Sequence, residues 1–254
     1  MMLNKINFTF GIITDGTSDN NLLLVIESII RQSIENFEII IVGNTKINLH
    51  NIVVIPFSEE LKSKWITRKK NIIINKAKFE NIVFLHDYVI LDTNWYKGFL
   101  TFGNGFDVCM NIFLNKDGSR FRDWTIWPHN NLILDKIVKK NRQCLLPYHI
   151  SHLTKYMYVS GTYWVAKTNF MKKYPLNEDL VWGESEDVEW SLRIRDFCNY
   201  KMNQNSTVLS LKQKDVIFTE PNQRNLDYII SFYPDNNQSF LNRGIKILKF
   251  YLIK

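Results

Sequence analysis

Residues 83–92 read VFLHDYVILD, an apolar run with a polar interruption in its middle. Three apolar residues of this stretch precede His86, Asp87 and Tyr88, and apolar residues follow them directly. Short continuous apolar runs are typical of strands that are buried on both faces of a parallel sheet. Ligands of such sheets lie beyond the carboxyl ends of the strands, so Asp87 is the first candidate for a functional side chain.

Strand-like and helix-like segments alternate through the first half of the chain. Strand patterns occupy residues 6–13, 37–44 and 51–57, and a helical apolar spacing occupies 18–33. Acidic residues open the segment 58–79 and basic residues follow them, which predicts one long helix aligned with its dipole. The alternation predicts a single α/β domain with a mostly parallel sheet flanked by helices. The length of 254 residues and the 45% apolar content suit one such domain.

Polar residues follow three of these strands. Asp15 follows the first, Asn44 the second, and Asp87 the strand within 83–92. Because the carboxyl ends of parallel strands meet at one edge, we expect these residues to line one cleft. Asp87 can cap a loop or pair with a base, or it can hold a Mg²⁺ or Mn²⁺ ion that bridges nucleotide phosphates. Both interpretations stay open on this residue alone.

A second acidic group occurs in the stretch WGESEDVEW, which begins at Trp182. Trp182 and Gly183 predict a tight turn, and a helix is predicted to begin near Glu184. Acidic residues in the first turn of a helix are favoured by its dipole, which explains the pattern without any function. Alternatively, Glu186 or Asp187 points into the cleft and accepts a proton from a sugar hydroxyl.

Taken in order, these segments resemble the GT-A glycosyltransferases that use nucleotide-sugar donors, in particular the family-two group with a galactosyltransferase-like C-terminal half. The resemblance runs from about residue 7 to about residue 220. Residues 10–44 are similar to the opening strand, helix and second strand that carry the donor base. Residues 67–99 are similar to the helix and strand that lead to the metal-binding Asp-x-Asp motif. Residues 158–171, followed by WGESEDVEW, resemble the acceptor strand and the stretch that supplies the catalytic base.

The resemblance implies a single GT-A (Rossmann-like) domain over 1–220, with a nucleotide-binding half at about 1–105 and an acceptor and catalytic half at about 106–220. A C-terminal helical extension is expected at 221–254. The implied activity is a hexosyltransferase-like transfer from a nucleoside-diphosphate sugar, with UDP favoured, to a glycan or another hydroxyl acceptor. Inversion at the anomeric carbon and dependence on Mn²⁺ or Mg²⁺ are expected with it.

The resemblance also implies site residues. Asp187, or Glu186 beside it, is the expected catalytic base, and Asp87 is the expected metal ligand. The expected donor-binding residues are Thr14, Asp15, Asn44, Arg68, Lys69, His86 and Asp87. The expected acceptor-binding residues are Trp124, Trp127, Arg122, Gly161, Trp182, Gly183 and Glu184. Trp124 and Trp127 lie in an aromatic and charged loop, which suits stacking on a sugar ring.

Two positions depart from the family pattern. The Asp-x-Asp or His-Asp-Asp motif is His86-Asp87-Tyr88 here, so Asp87 alone supplies a carboxylate. The second strand ends in Gly43-Asn44 where a pair of aspartates is usual. The asparagine amide still offers a donor and an acceptor to a pyrimidine edge.

Other functions were weighed against this one. The net charge of +7 suggests an anionic partner, but basic residues are spread along every predicted helix, so nucleic-acid binding is not expected. A nucleotidyltransferase would need a basic glycine-rich loop after the first strand, where TDGTSDNN has none. A catalytically inactive glycan-binding module on the same fold stays open. The loss of the second motif aspartate favours it, and the acidic residues Glu186 and Asp187 oppose it.

The remaining features concern the compartment. The three cysteines form no Cys-x-x-Cys pair, and no apolar run reaches the roughly 18 residues of a membrane span, so a cytoplasmic protein is expected. The segment 238–254 has an apolar stripe with basic residues beside it. It is expected to pack on the domain or on a partner subunit, as in a homodimer, or to lie on an acidic membrane surface near a lipid-linked glycan acceptor.

Overall fold

The structure is a computed structural model, and it describes residues 5–126, 144–150, 157–215, 219–224 and 226–227. The strands in these ranges are β1 (Phe8–Ile13), β2 (Phe37–Val42), β3 (Ile52–Ile55), β4 (Asn81–His86), β5 (Val89–Leu91), β6 (Val108–Leu114), β7 (Thr125–Ile126), β8 (Cys144–Leu145), β9 (Met157–Tyr158), β10 (Tyr163–Lys167) and β11 (Tyr200–Ser210). The helices are α1 (Asp19–Ile30), α2 (Ile66–Lys76), α3 (Trp95–Phe102), α4 (Thr168–Lys173) and α5 (Glu186–Ile194). Trp127 and the segment 238–254 lie outside the described residues, so the predictions made for them stay predictions.

The main sheet has eight strands in the order β3-β2-β1-β4-β10-β6-β11-β5. The first four strands are parallel to one another, and β11 is parallel to β6. β10 runs antiparallel to both of its neighbours, and β5 runs antiparallel to β11. A smaller antiparallel sheet has the order β8-β7-β9. The predicted fold class, an α/β domain with a mostly parallel sheet flanked by helices, is confirmed.

The register of β1 positions the site. Ile13, the last residue of β1, is opposite Val42 of β2 on one side and His86 of β4 on the other. Every residue of β1 is buried, because the strand has a neighbour on each side and helices cover the sheet. The residues that follow the three strands, beginning with Thr14 and Asp87, therefore leave the sheet at one edge.

Aromatic side chains fill the core next to the start of β1. The ring of Trp95, in α3, lies 5.0 Å from the ring of Phe8 and 4.6 Å from that of Phe99, measured between centroids. Its indole N–H donates a hydrogen bond of 2.9 Å to the hydroxyl of Tyr163, which in turn donates to Asn111. Buried polar atoms that are paired in this way allow large aromatic side chains to pack without loss of hydrogen bonding.

Two predicted helix boundaries are wrong. The helix predicted over 58–79 begins only at Ile66, because Lys64 has a positive φ of 56° and its amide donates a hydrogen bond to the carboxylate of Glu59. The helix predicted to begin near Glu184 begins at Glu186, after Ser185 in the left-handed conformation. In both cases a left-handed residue prevents the preceding turn from joining the helix.

The run VFLHDYVILD forms two strands. β4 ends at His86, residues 87–88 form a turn, and β5 begins at Val89. β4 lies in the centre of the sheet, whereas β5 is its last strand and pairs with β11. The polar interruption seen in the sequence is therefore the point at which the chain passes from the centre of the sheet to its edge.

In the part of the chain that the structure describes, the helices are too short or too polar to cross a membrane.

Candidate active site

The loops after β1, β2 and β4 contact one another. The Thr14 hydroxyl donates a hydrogen bond of 2.7 Å to Oδ2 of Asp87 and accepts one of 3.0 Å from the Gly16 amide. Gly16 has a φ of +82°, and a Cβ there would lie 2.6 Å from the carbonyl oxygen of Asn44, so glycine is needed at this turn. We refer to Thr14, Asp15, Asn44 and Asp87 as the strand rim.

The carboxylates of the strand rim lie in different surroundings. Asp87 is buried, and burial raises its pKa more than the hydrogen bond from Thr14 lowers it. Asp15 is exposed, and although partial burial alone would raise its pKa, two hydrogen bonds from Thr17 hold the pKa below its usual value. Asn44 is also exposed. The strand rim thus presents one buried carboxylate below two exposed polar side chains.

The two basic residues predicted to face the donor differ in position. Lys69 is buried, donates a hydrogen bond of 2.8 Å to the Thr14 carbonyl and pairs with Glu59. It therefore lies beneath the strand rim. The guanidinium of Arg68 instead lies 3.0 Å from both carboxylate oxygens of Glu178. That pairing holds Arg68 against the 178 loop, and the donor-binding role predicted for it stays a prediction.

A cleft of about 310 Å³ lies next to the strand rim. It is lined by the end of β4, the turn before β10, and the turn and first residues of α5. The predicted site residues that line it are His86, Arg122, Gly161, Trp182, Gly183, Glu186 and Asp187. The sequence therefore predicted a set of residues, distant along the chain, that the fold brings together.

Glu186 and Asp187, which we call the acid pair, are held by short backbone contacts. Oδ2 of Asp187 accepts a hydrogen bond of 2.8 Å from the Gly161 amide, and Oδ1 accepts one of 2.9 Å from the amide of Val188. A Cβ at Gly161 would lie 2.8 Å from Oε1 of Glu186 and 3.1 Å from Oδ2 of Asp187. The absence of a side chain at Gly161 thus allows the start of α5 to approach β10 closely.

The acid pair has a buried cationic neighbour, Lys70, which the sequence analysis missed. Its ammonium donates a hydrogen bond of 2.6 Å to the Gly161 carbonyl and lies 4.4 Å from the centroid of the Trp164 ring. Burial lowers the pKa of Lys70 to about 8, although the acid pair acts in the opposite direction. Burial and the charge of Asp187 raise the pKa of Glu186, and Lys70 opposes that shift.

A signal for Lys70 was present in the sequence. Lys70 follows the buried Ile66 by four residues and precedes the buried Ile73 and Ile74 by three and four residues. A lysine within the apolar stripe of a helix must reach a buried polar partner, whereas Arg68, two positions earlier, lies off this stripe.

His86 lies on the cleft between the strand rim and the acid pair. Burial lowers the pKa of its imidazole well below the usual value, and the charges of Lys70 and Lys214 lower it further. The imidazole is therefore neutral at pH 7. Its Nε2 atom is buried and has no hydrogen-bond partner among the residues that the structure describes. An unpaired buried nitrogen in a cleft is available to a ligand.

Two lysines that follow β11 were not predicted from the sequence. The ammonium groups of Lys212 and Lys214 each lie 4.5 Å from the centroid of the Tyr88 ring. Lys212 is among the charges that lower the pKa of Asp87 and of Asp15. No local signal in the sequence connects these lysines to the strand rim, because their position depends on the pairing of β11 with β5.

The residues around Asp87 do not fit a divalent cation well. Tyr88 stands where the family pattern has a second carboxylate, Oδ2 of Asp87 is hydrogen-bonded to Thr14, and the charges of Lys69 and Lys212 lie close by. Within the described ranges, no group of three or more histidine, cysteine, aspartate or glutamate side chains is placed to hold a metal ion. Divalent metal ions in nucleotide sites need carboxylate and phosphate oxygens rather than ammonium neighbours. The predicted use of Mn²⁺ or Mg²⁺ at Asp87 therefore stays a prediction.

The prediction that Trp124 stacks on a sugar ring is wrong. Its ring is buried, stacks on Tyr200 with 5.5 Å between centroids, and its indole N–H donates a hydrogen bond of 3.0 Å to the Ile150 carbonyl. Trp124 is thus part of the core beneath the small sheet. A loop rich in aromatic residues does not reveal from its sequence which rings are buried.

The other predicted acceptor residues lie around the mouth of the cleft or beside it. The side chain of Trp182 is 54% exposed, and the Lys64 ammonium lies 4.9 Å from its ring centroid. Gly183 forms the adjoining turn with a φ of +92°. Glu184 is exposed, and its carboxylate accepts a hydrogen bond of 2.9 Å from the Val181 amide, so it stabilises the turn and does not line the cleft. Arg122 lines the cleft from the opposite side.

The sequence matches no protein-family model and no curated protein. Its structure is similar to that of GalNAc-T7, determined in a crystal with UDP, GalNAc and Mn²⁺, with a TM-score of 0.58 and 12% sequence identity. The alignment covers 98% of this chain and 56% of that chain, so this chain spans just over half of its length.

The structure also resembles Staphylococcus aureus TarS, residues 1–349, with a TM-score of 0.49, 13% identity, and coverage of 97% of this chain and 71% of that chain. At these identities the likeness concerns the fold alone. The sheet order, the flanking helices and the likeness to GalNAc-T7 together identify the fold as that of the GT-A glycosyltransferases.

Proposed function

We propose that the protein is a glycosyltransferase that transfers a sugar from a nucleoside-diphosphate donor, with a UDP-sugar favoured, to a hydroxyl group of a glycan or a related acceptor. The observation that carries the proposal is the acid pair, which lines the same cleft as His86 at the end of β4. The cleft therefore has carboxylates in its lining and reaches, at His86, the ends of the parallel strands, where nucleotides bind in α/β folds.

The acid pair is suited to general-base chemistry. An acceptor hydroxyl loses its proton to a carboxylate as its oxygen forms a bond with the anomeric carbon. The bond from that carbon to the phosphate oxygen breaks, and the nucleoside diphosphate leaves with the electron pair. A single displacement of this kind inverts the anomeric configuration, and one carboxylate on the side of the acceptor is sufficient for it.

The two members of the acid pair differ in ways that bear on this step. Asp187 is oriented, because each of its carboxylate oxygens accepts a backbone hydrogen bond. Glu186 is buried and has a raised pKa, which makes it a stronger base than an ordinary glutamate. Lys70 balances part of their charge from within the protein. Each carboxylate thus meets one requirement for the general base. Substituting each one alone tests which of them accepts the proton.

The acceptor is expected to enter past Trp182. Its exposed indole ring, at the mouth of the cleft, suits stacking on a sugar ring, and Arg122 offers donors to sugar hydroxyls from the other side. A lipid-linked glycan acceptor, membrane contact through 238–254 and a homodimer are predictions from the sequence that these contacts do not address.

The direct test is a product assay. A panel of nucleotide sugars is first screened for a rise in Tm of the protein, and each stabilising donor is then incubated with simple glycoside acceptors. We expect a glycoside product whose anomeric configuration is opposite to that of the donor, measured by NMR. A product with the configuration of the donor would contradict the inverting mechanism, and neither transfer nor hydrolysis of any stabilising donor would contradict the enzyme.

One observation favours a second function, a glycan-binding module without activity. Tyr88 replaces a carboxylate of the family motif, and its pKa is raised by burial, so it supplies no negative charge. Such a module would bind glycans through Trp182 without binding UDP. Binding of UDP in the assay above, together with donor hydrolysis, would exclude it.

A further inference from the structure

Lys212 and Lys214 reach the strand rim because of the way β11 ends. β11 runs antiparallel to β5, with Ser210 opposite Val89, so the end of β11 lies beside the start of β5. The residue before Val89 is Tyr88, whose carbonyl accepts a hydrogen bond of 2.8 Å from the Leu211 amide. The chain after β11 therefore passes directly over the turn that contains Asp87.

Hydrogen bonds hold the segment after β11 in place. The hydroxyl of Ser210 donates a hydrogen bond of 2.6 Å to the Lys212 carbonyl and accepts one of 3.2 Å from its amide. The amide of Lys214 donates a hydrogen bond of 3.1 Å to Oδ1 of Asn115. The side chain of Gln213 donates one of 2.9 Å to Asp117. The backbone that carries the two lysines is thus ordered before any ligand binds.

The ammonium groups of these lysines are available. In the described segments of the chain, neither forms an ion pair with a carboxylate within 4.0 Å. Both contact the Tyr88 ring, at 4.5 Å from its centroid, and this contact holds them at the end of β4. Lys214 is partly buried between the charges of Arg122 and Asp87, whereas Lys212 is exposed.

The charges of this region suit a diphosphate. A nucleoside diphosphate carries a charge of about −3 near pH 7, because a terminal phosphate has a second pKa of about 6. Asp87 is the one buried carboxylate of the strand rim, and a diphosphate beside it needs cations. A divalent metal ion supplies two positive charges in such a site, and two lysines supply the same number.

We propose that Lys212 and Lys214 bind the diphosphate of the nucleotide donor directly, so that the protein binds its donor without a divalent cation. The proposal rests on the proposed glycosyltransferase function and deepens it. When the bond between the anomeric carbon and the phosphate oxygen breaks, the oxygen keeps the electron pair, and the two ammonium groups stabilise the added negative charge. Tyr88 has a role in this arrangement, because its ring holds both lysines in place. A second carboxylate at this position would repel the phosphates.

The test measures UDP binding by isothermal titration calorimetry, once in EDTA and once in MnCl₂. We expect UDP to bind in EDTA, with an affinity that MnCl₂ changes by less than about threefold. The double variant Lys212→Met/Lys214→Met is expected to bind UDP about 10- to 100-fold more weakly, because it loses both charge-assisted contacts to the diphosphate. Uridine, which lacks phosphates, is expected to bind the parent and the variant equally.

Two further variants make the result interpretable. Lys173→Met is a matched control, because the Lys173 ammonium also lies over a tyrosine ring, 5.1 Å from the centroid of Tyr174. Lys173 is in α4, which directly follows β10. The end of β10 pairs with the start of β4, so Lys173 lies at the end of β4 opposite to Asp87. The variant Lys212→Arg/Lys214→Arg retains both charges and is expected to bind UDP within about threefold of the parent.

Two results would overturn the proposal. If UDP binds only with MnCl₂ and the Met double variant binds it as tightly as the parent, the lysines do not replace a metal ion, and the glycosyltransferase function stands. If neither UDP nor any nucleotide sugar binds under either condition, the proposed function falls together with the inference. Thermal unfolding of each variant, within about 3 °C of the parent, shows that a loss of binding is not a loss of fold.

Discussion

The strand rim and the acid pair are built by different kinds of structure. The strand rim follows from the register of three parallel strands, in which Ile13 is opposite both Val42 and His86. The acid pair depends on one glycine, Gly161, and on the left-handed Ser185 that sets the start of α5. The strand rim depends on pairing along three whole strands as well as on Gly16 at its turn, whereas the acid pair depends on close backbone approach at Gly161.

The charges around the strand rim also differ from those around the acid pair. At the strand rim one buried carboxylate is surrounded by lysines from α2 and from the segment after β11. At the acid pair two carboxylates share one buried lysine, Lys70. The strand rim, beside the cleft, therefore forms a cationic side that suits phosphates, whereas the acid pair in the cleft forms an anionic side that suits accepting a proton. Each prediction asks whether these two sides act separately.

The largest effect is expected at the acid pair. Glu186→Gln and Asp187→Asn keep the shape of each side chain, and at least one of them is expected to lower kcat by a factor on the order of 10² or more. The affinity for UDP is expected to stay within about threefold, because the diphosphate is proposed to bind at the strand rim.

Glu189→Gln is the control for these variants. Glu189 is in the same turn of α5 but pairs with Arg193 at 2.8 Å, away from the cleft. Equal kcat values for all three variants, measured with a saturating donor, would show that the acid pair does not supply the base.

A smaller effect is expected for Gly161→Ala. The added Cβ would displace the carboxylates of the acid pair, and displacements of about 1 Å in a catalytic group lower rates by one to two orders of magnitude, so we expect kcat to fall about tenfold. Because the nearest atom is the end of a flexible glutamate, stability is expected to change by less than about 1 kcal/mol. UDP binding is expected to be unchanged.

Gly105→Ala is the matched control, since a Cβ there would meet only the end of Lys201, at 3.9 Å. If Gly161→Ala weakens UDP binding as much as it lowers kcat, the two sides of the cleft are coupled and the comparison fails.

The smallest effect concerns pH and Lys70. Its pKa falls from 10.5 in the unfolded chain to about 8 in the folded protein, so between these values the unfolded chain binds more protons and stability rises with pH. Lys70→Met removes this contribution, and from pH 8 to 9.5 the free energy of unfolding of the parent is expected to rise by about 1.5 kcal/mol more than that of the variant.

Urea unfolding at both pH values measures this difference. Lys76→Met, at the exposed end of the same helix, is expected to behave as the parent does. The same pH dependence in Lys70→Met and the parent would show that Lys70 is not a charged group beneath the acid pair.

The strand rim was predictable from the sequence because its causes are local. Apolar runs reveal buried strands, parallel strands end at one edge, and Thr14 and Asp87 immediately follow two such runs. Glu186 and Asp187 were found because they begin a helix next to a turn of Trp182 and Gly183.

The errors have a common physical cause, which is pairing between distant parts of the chain. Trp124 donates a hydrogen bond to Ile150 and stacks on Tyr200, both far from it along the chain. Lys212 and Lys214 were missed for the same reason, because β11 reaches β5 only in the folded sheet. A sequence pattern shows which side chains need a partner but does not identify the partner.

The two-residue turn between β4 and β5 has a mechanical consequence. Hydrogen-bonded strands lead from β4 through β10, β6 and β11 to β5, and the peptide chain at Asp87 and Tyr88 closes this path into a ring. The outer side of the ring is secured by α1, where the Ser28 hydroxyl accepts a hydrogen bond of 3.0 Å from the Leu91 amide. A turn that closes such a ring has little freedom to move, since any displacement strains every strand within it. Asp87 is therefore held in position without a ligand, and a ligand that binds there would lose little conformational entropy to this turn.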